Sequence, residues 1–219
     1  MTRQEFYNQQ NKNYNISGSR LQHLLDLIPI GQSLEILDIG CGQGYLAKKL
    51  VLLGHKVVGV DISNEALQLA HPYLTKSFCF NLEDETWPEA LLAEKFDIII
   101  ATEVIEHLFW PVEFLNQLSI LLKKDGHVII TTPNFLFWKN RLKMLFGFFE
   151  YAATGLLDFS HIRFFNYKYF KKTIQESQLK IIREHHFYPN FYKRKLNFIG
   201  KNWPGLFAYQ FIVSLSKKD

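Results

Sequence analysis

Cysteine is scarce: Cys41 and Cys79 are the only 2 in 219 residues. That is too few for a disulfide framework and points to a reducing compartment. An excess of one charge is also missing, with 25 Lys and Arg against 21 Asp and Glu and a net charge of +4. No dedicated nucleic-acid surface is therefore expected. No apolar run reaches the roughly eighteen residues of a membrane span. The first twenty residues are polar and lack the apolar stretch of a secretory signal. A cytoplasmic protein is expected, and peripheral contact with the inner face of a membrane is compatible with this composition. Proline (7) and glycine (12) are too few for a collagen-like chain, and 47% hydrophobic residues exclude a disordered one.

What is present is an alternation of short apolar runs and helical stretches. Strands are expected at 33–40 (SLEILDIG), 56–62 (KVVGVDI), 77–81 (SFCFN), 96–102 (FDIIIAT) and 127–132 (HVIITT). These runs do not alternate polar with apolar, as expected of parallel strands covered on both faces. Between them, a helix should run from Tyr45 to about Leu53, with Leu46, Leu50 and Leu53 on one face and Gly54 as its stop. Ser63 is placed to cap the next helix, and Pro111 to open another that ends near Lys123 and Lys124. After an irregular aromatic stretch, a helix is expected at 168–177, then strands at 179–187 and 205–216. The reading is a single α/β domain over 1–219, with a polar arm at 1–20 and an insertion or lid at 134–160 after the fifth strand.

The most informative stretch is 37–50 (LDIGCGQGYLAKKL), where a strand runs through Gly40, Gly42 and Gly44 into a helix. Such a turn lets a ligand approach the backbone, and the helix start offers N–H groups to a carboxylate or phosphate. Asp61, at the end of the second strand, is placed to accept the hydroxyls of a ribose. Dinucleotides and S-adenosylmethionine both suit this arrangement. The spacing here is GxGxG rather than GxGxxG, and Asp38 beside it would repel a pyrophosphate but attract an α-ammonium group. S-adenosylmethionine is preferred on these grounds.

With LDIGCGQG, VVGVDIS, NLED, FDIIIATEVIEHL and LLKKDGHVIITTPN in this order over about 34–134, the chain resembles class I S-adenosylmethionine-dependent methyltransferases. It is similar to the branch that includes ubiquinone-biosynthesis O-methyltransferases. The resemblance implies a Rossmann-like, doubly wound seven-stranded sheet, mostly parallel with an antiparallel last strand and helices on both faces. It also implies that Gly40, Gly42 and Gly44 border the methionine part of the cofactor and that Asp38 holds its amino group. Asp61 would take the ribose, Ile62 would lie beside the adenine, and Asn81 and Leu82 would meet the adenine edge. Many relatives carry Asp where this chain has Asn81.

In 101–108 (ATEVIEHL), Glu103, Glu106 and His107 fall at i, i+3 and i+4, which brings them together if a helical turn begins at Glu103. With His161 folding back as a fourth ligand, they would suit Mg²⁺ or Mn²⁺ and, less well, Zn²⁺. Similar clusters occur in ubiquinone-biosynthesis O-methyltransferases and in small-RNA 2′-O-methyltransferases, where a divalent metal assists. Without a metal, His107 or His161 is the candidate base, and Glu103 is a further catalytic candidate. The expected reaction is O-methylation of a small-molecule, lipid-linked or glycan hydroxyl. Two rivals are a non-catalytic methyltransferase-like regulatory partner and a nicotinamide-dependent oxidoreductase.

Residues 135–149 (FLFWKNRLKMLFGFF) mix large apolar side chains with Lys139, Arg141 and Lys143. One reading is a lid that touches a membrane surface. The other, preferred from the sequence, is a helical cap packed over the active site or across a dimer interface. His55 and His127 at strand entrances, with His23 and His71, are expected to be structural or solvated. His185 and His186 are ambiguous.

Overall fold

The computed structural model describes residues 18–152, 155–189 and 202–218. Most of the polar arm, and most of residues 188–204 between the last two expected strands, lie outside the described residues.

The elements in chain order are α1 (Gly18–Leu25), β1 (Glu35–Ile39), α2 (Tyr45–Leu52), β2 (Lys56–Asp61), α3 (Asn64–Ala70), β3 (Lys76–Cys79), α4 (Glu89–Leu92) and β4 (Phe96–Thr102). They continue with α5 (Pro111–Leu121), β5 (Leu122–Pro133), α6 (Trp138–Leu145), α7 (Tyr167–Glu176), β6 (Leu179–Glu184), α8 (Pro204–Phe207) and β7 (Gln210–Lys217). Short 3₁₀ turns lie at His71–Tyr73 and Ile105–His107. The strands form one seven-stranded sheet in the order β3-β2-β1-β4-β5-β7-β6. It is mostly parallel, with an antiparallel β5-β7-β6 end. This is the Rossmann-like architecture expected above. The chain divides into two compact units: residues up to Ala101 with Ile120–Val128, and Thr102–Ser119 with the chain from Ile129 onward.

In the first unit the apolar runs behave as continuous buried strands. Ile36, Leu37 and Ile39 of β1, Val57 and Val60 of β2, and Ile99 of β4 have no solvent exposure. Only β3, at the sheet edge, is largely exposed. The parallel register sets Ile39 beside Val60 and Ala101, and Asp61 beside Cys79, so the carboxyl ends of these strands are level. Ser63 caps α3 by accepting the Ala66 N–H at 3.1 Å. His55 is structural, its Nδ1 accepting the Leu34 N–H at 3.3 Å.

Two local expectations are corrected. Helix α2 ends at Leu52, so Leu53 is exposed and the buried face is Leu46, Ala47 and Leu50. The Gly54 conformation at φ 91° turns the chain one residue earlier than the leucine spacing suggested. Helix α5 ends at Leu121, beside Lys123 and Lys124 as expected, but β5 begins at once at Leu122 rather than at residue 127. Lys123 is drawn there by Glu35 and Asp97, each at 3.0 Å.

The second unit packs α7 on the β6–β7 hairpin through Phe165, Phe170, Ile174 and Phe211, all buried, with Phe170 and Phe211 stacked at 5.8 Å. Asn166 caps α7 by accepting the Tyr169 N–H at 3.0 Å. The strand expected from residue 205 begins instead at Gln210, because Pro204 starts a helical turn with its φ already suited to one.

His186 is structural. The Ile212 N–H donates to its Nδ1 at 3.3 Å, so Nε2–H donates to Glu184 Oε2 at 2.8 Å. Tyr167 Oη and Lys171 Nζ donate to the same carboxylate at 2.7 and 3.0 Å. The hydrogen bond from His186, followed by those from Tyr167 and Lys171, holds the Glu184 carboxyl down at about 2. A depressed carboxyl stabilises the fold fully above its ordinary value of 4.5 and loses that contribution as pH falls towards about 2. Glu184→Gln is therefore expected to cost about 1 kcal/mol at neutral pH, since the group is partly solvated. It should also flatten the acid limb of stability, as thermal melts across that range would read.

Candidate functional site

The first group of candidate residues belongs to the first unit. Gly40, Gly42 and Gly44 all adopt left-handed backbone, with φ of 70°, 52° and 77°. At Gly44 a side chain would also be crowded, since a Cβ there would lie 3.0 Å from Ala70. The loop is pinned to β2: the Gly40 N–H donates to the Val60 carbonyl at 2.8 Å and the Gly42 N–H to Asp61 Oδ2 at 2.8 Å. Asp61 Oδ1 accepts the Ser63 N–H at 2.8 Å, so the carboxylate joins the glycine turn to the start of α3.

Asp38 is almost fully buried, and its Oδ2 has no hydrogen-bond partner. Burial, and then the charge of Asp61, push its carboxyl up to about 8. A buried carboxyl with an orphaned oxygen beside a glycine turn fits a cationic ligand group such as an α-ammonium. Cys41 is buried, and burial raises its thiol well above the ordinary range, as suits a packing residue rather than a nucleophile. Asn81 closes an Asx turn by accepting the Glu83 N–H at 3.2 Å, and the Leu82 carbonyl accepts Trp87 Nε1–H at 3.1 Å. Ile62 follows β2 directly, and its carbonyl lies 3.6 Å from Cys79 Sγ. Gly59 was not singled out from the sequence, yet a Cβ there would meet Cys41 Sγ at 2.9 Å and Leu74 at 2.6 Å. The mark it leaves in the sequence is a glycine inside an otherwise apolar strand.

The second group belongs to the second unit, directly after β4. The helical turn expected from Glu103 does not form there. Glu103 itself has φ 54°, an uncommon conformation for a residue with a side chain, and a 3₁₀ turn starts only at Ile105. Thr131 holds Glu103 in place: the Glu103 N–H donates to Thr131 Oγ1 at 3.1 Å, and Thr131 Oγ1–H donates to Glu103 Oε1 at 3.0 Å. Gln210 Nε2 donates to the same Oε1 at 2.6 Å. Glu103 is thus turned towards β5 and β7. The structure brings together Glu106, His107 and His161, each with a ligand atom within 4.8 Å of the others, and leaves Glu103 out of that group.

Glu106 is 1% exposed. Its Oε2 accepts the Thr132 hydroxyl at 3.1 Å, while Oε1 has no hydrogen-bond partner and lies 3.9 Å from His161 Nε2. Burial, then the Glu103 charge, raise its carboxyl well above the ordinary range. The Glu106 carbonyl accepts the N–H groups of Ile162 and Arg163 at 3.1 and 3.0 Å, which fastens the 161–163 segment beside it. His107 Nδ1 is 3.1 Å from the Ser160 carbonyl, and His161 Nδ1 is 3.4 Å from the Leu156 carbonyl. A carbonyl can only accept, so each Nδ1 carries a proton, and in a neutral ring the lone pair then lies on Nε2. This is the outer-shell arrangement of metal-binding histidines. Thr131, Thr132 and Gln210 were not singled out from the sequence. Their marks are adjacent threonines at a strand's carboxyl end and a glutamine opening an apolar strand.

A methyltransferase-domain family profile matches residues 9–184. The chain is 34% identical over 155 residues to a ubiquinone biosynthesis O-methyltransferase of Bartonella bacilliformis, covering 69% of this chain and 62% of that protein. It is 32% identical over 125 residues to one of Albidiferax ferrireducens, covering 55% and 49%. The matched region thus spans about half the length of the curated relatives. Among solved structures, a TehB-like S-adenosylmethionine-dependent methyltransferase from Corynebacterium glutamicum shares the fold at a TM-score of 0.61 and 19% identity, covering 98% of each chain. A magnesium protoporphyrin IX methyltransferase from Synechocystis with bound S-adenosylhomocysteine does so at 0.59 and 18%, covering 97% of this chain and 84% of that one. The glycine turn pinned to Asp61, the sheet order and the family match agree, and the chain belongs to the S-adenosylmethionine-dependent methyltransferase family.

Proposed function

We propose that the protein transfers a methyl group from S-adenosylmethionine to a hydroxyl of a small-molecule, lipid-linked or glycan acceptor. The observation that carries this reading is the buried Glu106 Oε1 without a partner beside two histidines whose Nδ1–H groups are committed to carbonyls. A hydroxyl must be deprotonated to be methylated, whereas a sulfonium methyl is already electrophilic, so the protein's task is alignment and activation of the acceptor.

Asp38 would receive the ammonium group of the cofactor, and Asp61 its ribose hydroxyls. Glu106 through Oε1, with His107 and His161 through Nε2, would hold a divalent cation. Such an ion supplies Lewis acidity that lowers the pKa of a bound hydroxyl. With Glu103 committed to Thr131 and Gln210, the donor set is two imidazoles and one carboxylate. That set favours a transition ion such as Mn²⁺ over Mg²⁺, which prefers oxygen ligands. The buried carboxylate and the hydrogen bonds that the two Nδ1–H groups donate to the Ser160 and Leu156 carbonyls keep the donor atoms oriented.

Titration of the purified protein with Mn²⁺ and Mg²⁺ by calorimetry tests the ligand set. Saturable Mn²⁺ binding is expected at about tenfold or higher affinity than Mg²⁺. It should be lost in Glu106→Gln and kept in Glu103→Gln. The reaction class is tested by incubating labelled S-adenosylmethionine with phenolic, lipid-linked and glycan hydroxyls. Label in an alkali-resistant ether supports the reading, and label confined to amines would overturn it.

A further inference from the structure

The segment after β5 has a surface that methyl transfer does not require. Helix α6 (Trp138–Leu145) buries none of its residues. From Arg141 to Ala152 every residue except Met144 is exposed, and Leu145 and Phe146 reach 77% and 68%. An ordinary surface helix buries an apolar stripe, and contiguous exposed apolar area marks an interaction site. The segment is nevertheless anchored. Phe149 and Tyr151 pack on each other at 5.6 Å and on Phe164 at 6.5 and 6.3 Å, and Phe164 lies 4.6 Å from Phe135. Arg141 is tied to the Leu136 and Gly205 carbonyls at 2.6 and 3.1 Å. The aromatic side chains beyond these anchors face outward from a held base.

Charge decides what this surface fits. At about 100° per residue, Trp138, Leu142 and Leu145 form one stripe of α6, with Lys139 and Lys143 on one side and Arg141 on the other. Among the described residues no carboxylate pairs with any of these three cations. Glu150 is the single acid between Trp138 and Leu157. An apolar stripe flanked by cations suits the boundary of an anionic bilayer, where aromatic and aliphatic groups enter and cations meet headgroups. A second copy of the same face would instead set these cations against their own equivalents. A cap packed over the active site would have buried a face of α6, and among the described residues no residue of α6 is buried.

We propose that α6 and the aromatic residues after it form a docking surface for an anionic lipid bilayer. Resting on the functional reading above, this narrows the acceptor to a hydroxyl carried by an amphiphile at that surface. The test is flotation of the whole protein with vesicles of phosphatidylcholine, alone or with phosphatidylglycerol. Binding is expected only with the anionic lipid and is expected to weaken with salt. A Lys139→Glu/Lys143→Glu variant should partition about tenfold less. A Leu145→Ser/Phe146→Ser/Phe148→Ser variant should lose flotation. Calorimetric titration with S-adenosylhomocysteine, unchanged in both variants, shows that they are folded. Three results would overturn the proposal: no flotation of the parent, flotation equal in parent and variants, or a dimer by light scattering that the serine variant dissolves. Flotation needs neither methyl donor nor acceptor, so it stands or fails separately from the reaction.

Discussion

A Glu106→Gln variant is expected to transfer methyl groups about 10²–10⁴-fold more slowly than the parent, the range of a lost acid–base or metal-activated step. Its affinity for S-adenosylhomocysteine should stay within about twofold, because Asp38, Asp61 and the glycine turn belong to the other compact unit. Glutamine keeps the size of the side chain and the Thr132 hydrogen bond to it. It removes the charge that balances a cation or a protonated imidazole. His161→Ala should cost as much, and the double variant little more than either single one, since residues acting as a unit are not additive. Glu103→Gln is the contrasting case. Its Oε1 accepts hydrogen bonds from Thr131 and Gln210, so the expected loss is less than about tenfold. Initial rates at saturating donor, with calorimetry beside them, make the comparison. Equal rates for parent and Glu106→Gln would remove the cluster from the reaction.

Asp38→Asn should separate binding from stability. In the free protein the Asp38 carboxyl sits at about 8, raised by burial and then by Asp61, against an ordinary 3.8. A raised acid binds its proton more tightly folded than unfolded, so it destabilises the fold increasingly as pH rises from about 3.8 to about 8. The neutral amide avoids that cost. The free variant is expected to be more stable than the parent by roughly 1–2 kcal/mol near pH 7–8, with the difference shrinking towards pH 4. Urea unfolding at several pH values reads this directly. The same change should weaken S-adenosylhomocysteine binding by about 100-fold or more, because a charge-assisted hydrogen bond in a buried place is lost. In the parent, pairing with an ammonium group restores the charged carboxylate, so binding between about pH 6 and 7 should release a proton. Calorimetry in buffers of different ionisation enthalpy counts it. A variant that binds as tightly as the parent would take Asp38 out of the cofactor site.

Most strands and the glycine turn were legible in the sequence. Continuous Ile, Leu and Val runs can only be satisfied by strands covered on both faces, so β1, β2 and β4 were readable from composition and length. Three glycines at φ 52–77° leave little choice of residue, so the turn at 40–44 was visible as a pattern. Ser63 and Pro111 act through local chemistry and were readable for the same reason.

The rest depends on contacts between residues far apart in the chain. Spacing alone grouped Glu103 with Glu106 and His107, because an ideal helical turn would put them on one side. Thr131 and Gln210, 28 and 107 residues away, turn Glu103 elsewhere. Carbonyls at Ser160 and Leu156 set the tautomers of His107 and His161. Periodicity does not register partners that distant in the chain. It also left open whether α6 is covered, since the same amphipathic pattern serves a buried cap and an exposed surface. Burial depends on what the rest of the chain places against a helix, and here the described residues cover Trp138 Nε1 but bury no whole residue of α6.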